Sequence, residues 1–85
     1  MPAHETVLEF EYDSDATATV VADSVRQEVG EIASDRSETR LARDGRTLVV
    51  TVGASDLVAL RAGVNTWIRL VAVAERVHEL ASGRE

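Results

Sequence analysis

The sequence predicts an α+β fold in which a three-stranded antiparallel sheet carries two helices packed on one face. Two observations predict it. Apolar and polar residues alternate over three short segments, one of them weakly, and two longer segments repeat their apolar residues at helical spacing. The elements follow the order β-α-β-β-α, and 85 residues suffice for a single domain, residues 1–85, with one core.

The first strand and the first helix are predicted near the N-terminus. In Thr6–Tyr12, apolar residues alternate with glutamates, which is the pattern of a half-buried strand. Asp13 or Ser14 then offers a side-chain cap. The helix runs from Asp15 to about Val29, and Gly30 is its expected stop. Its apolar residues recur at helical spacing: Ala18, Val21, Val25 and Val29.

A hairpin is predicted in the middle of the chain. The polar stretch Ser34–Arg43 alternates weakly and is followed by Asp44-Gly45, a strong short-range signal for a hairpin turn. The next strand begins at Thr47 and ends at Val52. It places three apolar residues on one face: Leu48, Val50 and Val52.

The last helix, from Asp56 to about Ala81 with Ser55 as its cap, carries the most information. At about 100° per residue, its apolar residues form two adjacent rows that together cover roughly 200°, about twice the stripe of a helix that lies on one sheet. The first row is Leu57, Leu60, Val64, Trp67, Val71 and Ala74. The second row is Ala59, Gly63, Thr66, Leu70, Val73, Val77 and Leu80.

A helix with two apolar rows must bury two sides. The first helix could cover one flank, but it is short and its apolar residues are mainly alanine and valine, so we expect a second chain to cover the second row. Gly63 would let that chain approach closely. The candidate partner-binding residues are Thr66, Leu70, Val73 and Val77, with Asn65, Arg69 and Arg76 at the polar margin.

Charge and composition restrict the class of protein. The chain has fifteen acidic and nine basic residues, and all the basic residues are arginine, so its formal net charge is −6. An acidic surface without lysine suits a salt-rich cytoplasm, and a high-GC genome is the alternative explanation. The acidity argues against a stand-alone, non-specific nucleic-acid binder, because such binding depends on neutralising phosphates.

Neither a membrane segment nor a secretory signal is expected. The longest apolar run, from Trp67 to Ala74, is broken by Arg69 and is too short to cross a bilayer. No basic segment precedes an apolar stretch at the N-terminus. The absence of cysteine excludes disulfides and thiolate-bound zinc. We therefore expect a cytoplasmic protein.

Catalysis has little support in the sequence. His4 and His78 lie at opposite ends of the chain, and no carboxylate cluster with metal spacing accompanies either one. The serines lack a nucleophile-elbow pattern, and the glycines are too widely spaced to cradle a phosphate. We expect no enzyme, metal or cofactor. A small enzyme with a pocket at a dimer interface stays open as a third hypothesis.

Four arginines lie on or beside the predicted hairpin: Arg36, Arg40, Arg43 and Arg46. Their guanidinium groups could contact phosphates. The alternative is that Asp35, Glu38 and Asp44 neutralise them as local ion pairs. Exposed aromatic residues that would stack on bases are missing, so any RNA contact would be to the backbone. A free-standing RNA-binding module that uses this hairpin is therefore a second hypothesis.

Several stretches of the chain form a recognisable pattern: Ser34-Asp35-Arg36-Ser37, the Asp44-Gly45 hairpin and the helix segment Ser55-Asp56-Leu57-Val58-Ala59-Leu60-Arg61-Ala62-Gly63-Val64-Asn65-Thr66-Trp67-Ile68-Arg69. The opening strand Leu8–Tyr12 and the closing Ala74–Val77 extend it. In these residues the chain resembles a known family, the small dimerising subunit of the archaeal and eukaryotic KEOPS complex. Thr66 stands where we expect serine.

The resemblance implies a β-α-β-β-α fold, a homodimer and a role in making threonylcarbamoyladenosine in transfer RNA. It also implies a non-catalytic subunit that docks the threonylcarbamoyl transferase subunit through its helices and helps to receive transfer RNA. The second apolar row suits such docking, because the partner's helices would cover it and complete the core. The transfer-RNA role rests on the resemblance alone.

Overall fold

A computed structural model describes residues 3–29 and 37–81 of the chain. Within these ranges the element order is β-α-β-β-α, which confirms the predicted order and the α+β class. The elements are strand β1 (His4–Glu11), helix α1 (Asp15–Arg26), strand β2 (Ser37–Asp44), strand β3 (Thr47–Ala54) and helix α2 (Leu57–Ala81).

The three strands form one antiparallel sheet in the order β1-β3-β2. The central strand β3 is the most apolar, and its inward residues Leu48, Val50 and Val52 are fully buried. Both helices pack on this inner face and contribute Val21, Ala22, Val25, Trp67 and Val71 to the same core cluster. The prediction of two helices on one face of the sheet is confirmed.

The other face of the sheet carries no described helix, and six of its twelve residues are charged. Pairing across the sheet aligns Glu5 with Gly53 and Gly53 with Glu38. Because side chains alternate along a strand, Glu9 and Glu11 share this outer face with Glu5. Only one arginine of the described residues, Arg40, lies among these carboxylates on β2.

Helix α1 begins as predicted and ends earlier. Ser14 is its cap, since its Oγ accepts a hydrogen bond of 3.1 Å from the Thr17 N–H. The helix ends at Arg26 rather than near Val29, because the Glu28 N–H bonds the Val25 carbonyl three residues back and tightens the last turn. The predicted stop at Gly30 lies outside the described residues.

Two local details differ from the prediction. The side chain that caps α2 is that of Asp56, whose Oδ1 accepts a hydrogen bond of 2.8 Å from the Ala59 N–H, so Ser55 is not the cap. The hairpin loop consists of Gly45 and Arg46, because Asp44 still pairs with Thr47. Gly45 adopts a φ of +61° at the first loop position, the position where a type II′ turn requires glycine.

Gly63 allows α2 to lie close to its own sheet. A Cβ atom at this position would be 2.9 Å from Cγ1 of Val52, which is closer than such atoms approach in folded proteins. The sequence predicted that Gly63 would admit the backbone of a second chain, and that assignment is wrong. The glycine instead lets the helix settle against the central strand.

Candidate protein-docking surface

The two apolar rows of α2 differ in how far they are buried along the helix. The first row enters the core, where Trp67, Val71 and Ala74 are buried. In the second row, Gly63 packs against the sheet, whereas the residues nearer the C-terminal end of the helix are exposed. Four residues of this row, which we call the apolar strip, are half-buried Leu70 and the exposed Val73, Val77 and Leu80, whose side chains are 60%, 58% and 65% exposed.

Helix length explains why the second row becomes uncovered. The 25 residues of α2 span about 37 Å at 1.5 Å per residue. The eight residues of β3 span only about 26 Å at 3.3 Å per residue. Since Glu75 bonds Tyr12 next to the end of β1, the turns of α2 after Glu75, which carry Val77 and Leu80, extend beyond the sheet.

The position of α1 leaves the strip open. Thr17 of α1 lines a cleft together with Glu75 and Glu79 of α2, so the beginning of α1 lies on that side of α2. Val73 and Val77 are each two residues away from one of these glutamates, which turns them about 160° around the helix. The possibility that α1 covers the second row therefore does not hold at its C-terminal end.

Length and apolar composition alone would also allow α2 to cross a membrane. Core helices of soluble proteins have the same two properties. In this domain Trp67 and Val71 lie in the shared core. The helix also carries Arg61, Arg69 and Arg76. Its apolar composition is therefore explained by one face in the core and a second face, the strip, that the described residues leave open.

Polar residues border the strip on its solvent side. Asn65, Arg69 and Arg76 are all exposed, as predicted for the margin. Thr66 is half-buried, and its hydroxyl donates a hydrogen bond of 2.8 Å to the Ala62 carbonyl of its own helix. That bond occupies the threonine hydroxyl, so the methyl group is what Thr66 adds to the apolar surface.

A cleft of about 280 Å³ that is rich in carboxylates lies on the side of α2 away from the strip, and no pattern in the sequence predicted it. Its lining residues are Glu11, Tyr12, Asp13, Thr17, Glu75, His78 and Glu79. The Tyr12 hydroxyl donates a hydrogen bond of 2.6 Å to Oε2 of Glu75. Burial and the neighbouring Glu75 carboxylate raise the pKa of Tyr12 well above its usual value.

One apolar residue and one polar contact were missed for different reasons. Leu80 belongs to the second row by spacing, yet it was not among the candidate partner-binding residues although it is exposed. Periodicity alone was enough to find it. The contact between Tyr12 and Glu75 joins residues 63 positions apart, and no local pattern indicates it.

The hairpin arginines are divided by the pleat of β2. Arg40 lies on the outer face, 3.4 Å from Glu5 and 4.0 Å from Glu38, so part of the predicted neutralisation is present. Arg43 lies on the opposite face, and its guanidinium donates a hydrogen bond of 2.8 Å to the Gly45 carbonyl. Arg46 is exposed in the loop, and Arg36 lies outside the described residues. The three described arginines do not form one patch.

Comparisons with known proteins match this fold and this sequence. The sequence model of a family described as "Transcription factor Pcc1" matches residues 5–79. A KEOPS complex subunit Pcc1 from Pyrococcus abyssi (strain GE5 / Orsay) is 36% identical over 65 residues, which cover 76% of this chain and 79% of that protein. A crystal structure of a binary Gon7-Pcc1 complex contains a chain with the same fold, with a TM-score of 0.84, 15% identity and coverage of 95% of this chain and 99% of that one.

Proposed function

The chain belongs to the Pcc1 family, and we propose that it is a non-catalytic dimerisation and scaffold subunit of a cytoplasmic KEOPS complex. In this role it docks the threonylcarbamoyl transferase subunit and helps to bind the transfer RNA that receives threonylcarbamoyladenosine. The similar archaeal protein, named as a KEOPS complex subunit, supports the assignment to that complex.

The observation that carries the docking role is the apolar strip. Val73, Val77 and Leu80 expose about three-fifths of their surface on one continuous helix face. Covering side chains of this size completely yields about 1.5–3 kcal/mol each, so covering these three contributes on the order of 3–5 kcal/mol. A helical partner gains that free energy by laying its own apolar face along the strip.

The family description and the relative's name point to different roles, transcription and the KEOPS complex. A net charge of −6 disfavours binding of the isolated chain to nucleic acid, because such binding releases counterions only where basic groups neutralise phosphates. The same charge does not oppose binding to a protein through an apolar helix face. The KEOPS role therefore fits the surface better than a free-standing nucleic-acid-binding role does.

The test is a paired substitution in the strip, Val73→Asp with Val77→Asp. These positions suit the test because both side chains are mostly exposed. Leu70 does not, since it packs against the core and its replacement by aspartate would also unfold the domain. The matched control is Val58→Asp with Ile68→Asp, which adds the same charge at two exposed apolar positions of α2 outside the strip.

Affinity for the purified transferase subunit is then measured by calorimetry, with the fluorescence of the buried Trp67 as a check that each variant is folded. We expect the strip variant to bind at least a hundredfold more weakly, because two carboxylates would be buried in an apolar contact. The control variant is expected to bind like the wild-type chain. Equal binding by all three proteins would show that the strip is not the docking surface.

Direct contact with transfer RNA is a separate part of the proposal, for which Arg36, Arg40, Arg43 and Arg46 stay the predicted residues. The test compares two variants. The tip variant combines Arg43→Glu with Arg46→Glu near the hairpin turn, and the other variant is Arg40→Glu, whose native arginine already lies beside two carboxylates. In the assembled complex, the tip variant should weaken transfer-RNA binding while assembly is kept. Loss of assembly would assign these arginines to a protein interface. Binding of transfer RNA by the isolated chain with steep salt dependence would favour the free-standing RNA module instead.

A further inference from the structure

Two arginines border the apolar strip on the side that faces solvent. Arg69 and Arg76 are seven residues apart on α2, which places them about 10 Å apart along the helix axis and within about 20° of each other around it. Both side chains are exposed, and within residues 3–29 and 37–81 neither takes part in an ion pair or a side-chain hydrogen bond. The other long side of the strip is the chain's own core.

Among the described residues, no carboxylate lies within ion-pair distance of these two arginines, although the chain has fifteen acidic residues. Arg40 and Arg26 each have an acidic partner within the domain. Around α2, by contrast, Glu75 and Glu79 lie on the cleft side, about 100° and 60° from Arg76, and leave a basic band directly beside the apolar strip. A partner that covers the strip therefore meets two guanidinium groups along its edge.

We propose that the partner's docking helix carries carboxylates about one heptad apart at its edge and that these pair with Arg69 and Arg76. This inference rests on the proposed docking function and adds the chemistry that selects the partner. The apolar strip supplies contact area, which many amphipathic helices would match. The two arginines accept a helix with an acidic edge, slow the encounter with a basic one and fix the position of the helix along the strip.

A protein helix fits this surface better than the phosphate backbone of RNA. Arg69 and Arg76 adjoin the strip directly, and a phosphate chain bound to them would leave Val73, Val77 and Leu80 in water. An apolar helix with an acidic edge satisfies both halves of the surface at once. Guanidinium groups also pair with carboxylates in a two-pronged geometry that sets orientation as well as attraction.

The experiment measures the association rate of the transferase subunit with Arg69→Glu, Arg76→Glu and Arg76→Gln at low and high salt. The matched control is Arg61→Glu, because Arg61 is an exposed arginine of the same helix on a side at least 100° away from the strip. We expect each glutamate variant to associate roughly tenfold more slowly at low salt and with less dependence on salt. Arg76→Gln should show a smaller change in the same direction, and Arg61→Glu should behave like the wild-type chain.

A wild-type chain that fails to bind the transferase subunit would contradict the proposed function itself. Where the wild-type chain binds but the four variants all associate at its rate, the docking role stands and the acidic edge is wrong. A third result also overturns the inference: the glutamate variants assemble normally and the complex loses affinity for transfer RNA, which would make the two arginines RNA contacts.

Discussion

At the end of β1, Tyr12 connects the sheet to the last helix by donating its hydroxyl hydrogen to Glu75. The bond is possible only because α2 runs back along the sheet and brings residue 75 beside residue 12. Burial disfavours the tyrosinate, and the carboxylate beside it disfavours a second negative charge, so both raise the pKa of Tyr12.

Tyr12 makes the stability of the domain depend on alkaline pH. In the unfolded chain its pKa is about 10, and in the folded chain it is higher, so the folded state keeps the proton longer. The stabilisation is complete below pH 10 and falls as pH rises above it, by at most about 1.4 kcal/mol per pH unit. The chain has one tyrosine and neither lysine nor cysteine, so this slope belongs to one side chain.

Denaturant unfolding monitored by Trp67 fluorescence measures the slope between about pH 9 and pH 11, which is about one unit either side of the unfolded pKa. The ultraviolet absorbance of tyrosinate gives the pKa of the folded chain directly. The Tyr12→Phe variant should lose the slope above pH 10. At neutral pH it should be less stable by about 1.5–3 kcal/mol, the value of a hydrogen bond to a charged acceptor. A tyrosine that titrates at its unfolded pKa in the native protein would refute this account.

At the scale of the element, α2 shows what periodicity can and cannot predict. Its length, its two apolar rows and its arginine margin follow from residue spacing, and the bounds Leu57–Ala81 differ from the prediction only at the first residue. Spacing does not tell which part of a row will meet the sheet. Gly63 and Val77 belong to the same row, yet Gly63 lies against Val52 and Val77 is exposed, because the helix is longer than the strands.

The contact at Gly63 predicts an unusual response to alanine. Alanine is the better helix former by about 1 kcal/mol, yet Gly63→Ala should lower stability by about 1–3 kcal/mol because its Cβ would meet Val52 Cγ1 at 2.9 Å. Thermal unfolding of Gly63→Ala, Val52→Ala and the double variant forms the test. The double variant should lose less stability than the two single variants lose together, since Val52→Ala removes the methyl group that the new Cβ at position 63 would meet. A Gly63→Ala chain more stable than the wild type would contradict the close packing.

The hairpin illustrates the same limit on a smaller element. Asp44-Gly45 correctly predicts a tight turn between β2 and β3, but the loop is shifted by one residue to Gly45 and Arg46. The arginine cluster was judged from positions along the chain. The pleat then sends Arg40 and Arg43 to opposite faces, and the register brings Glu5 of β1 within reach of Arg40. That register depends on the order of the strands in the sheet, and the spacing of residues along one strand does not predict this order.

At the scale of the whole molecule, the sheet has two outer strands, β1 and β2, whose outer edges do not pair within the described residues. The domain also leaves the apolar strip exposed. Open strand edges and uncovered apolar faces both favour association. The homodimer that the family resemblance implies stays a prediction, and native mass spectrometry of the chain alone and with the transferase subunit measures both assemblies.

The charge of the whole molecule leads to a prediction about salt. A net charge of −6 on 85 residues repels itself in the folded state, and carboxylates crowd both the outer face of the sheet and the cleft beside Tyr12. Raising sodium chloride from about 10 mM to 150 mM shortens the screening length from about 30 Å to 8 Å. The melting temperature at pH 7 should therefore rise over this range.

The control for this prediction is pH rather than a variant. Near pH 4.8, the isoelectric point of the sequence, the net charge is about zero and general repulsion disappears. The same change in salt should then leave the melting temperature nearly constant, or lower it slightly as pairs such as Arg40 with Glu5 are screened. An equal rise at both pH values would attribute the effect of salt to stronger apolar burial. A rise confined to neutral pH would identify repulsion among carboxylates as the force that salt relieves.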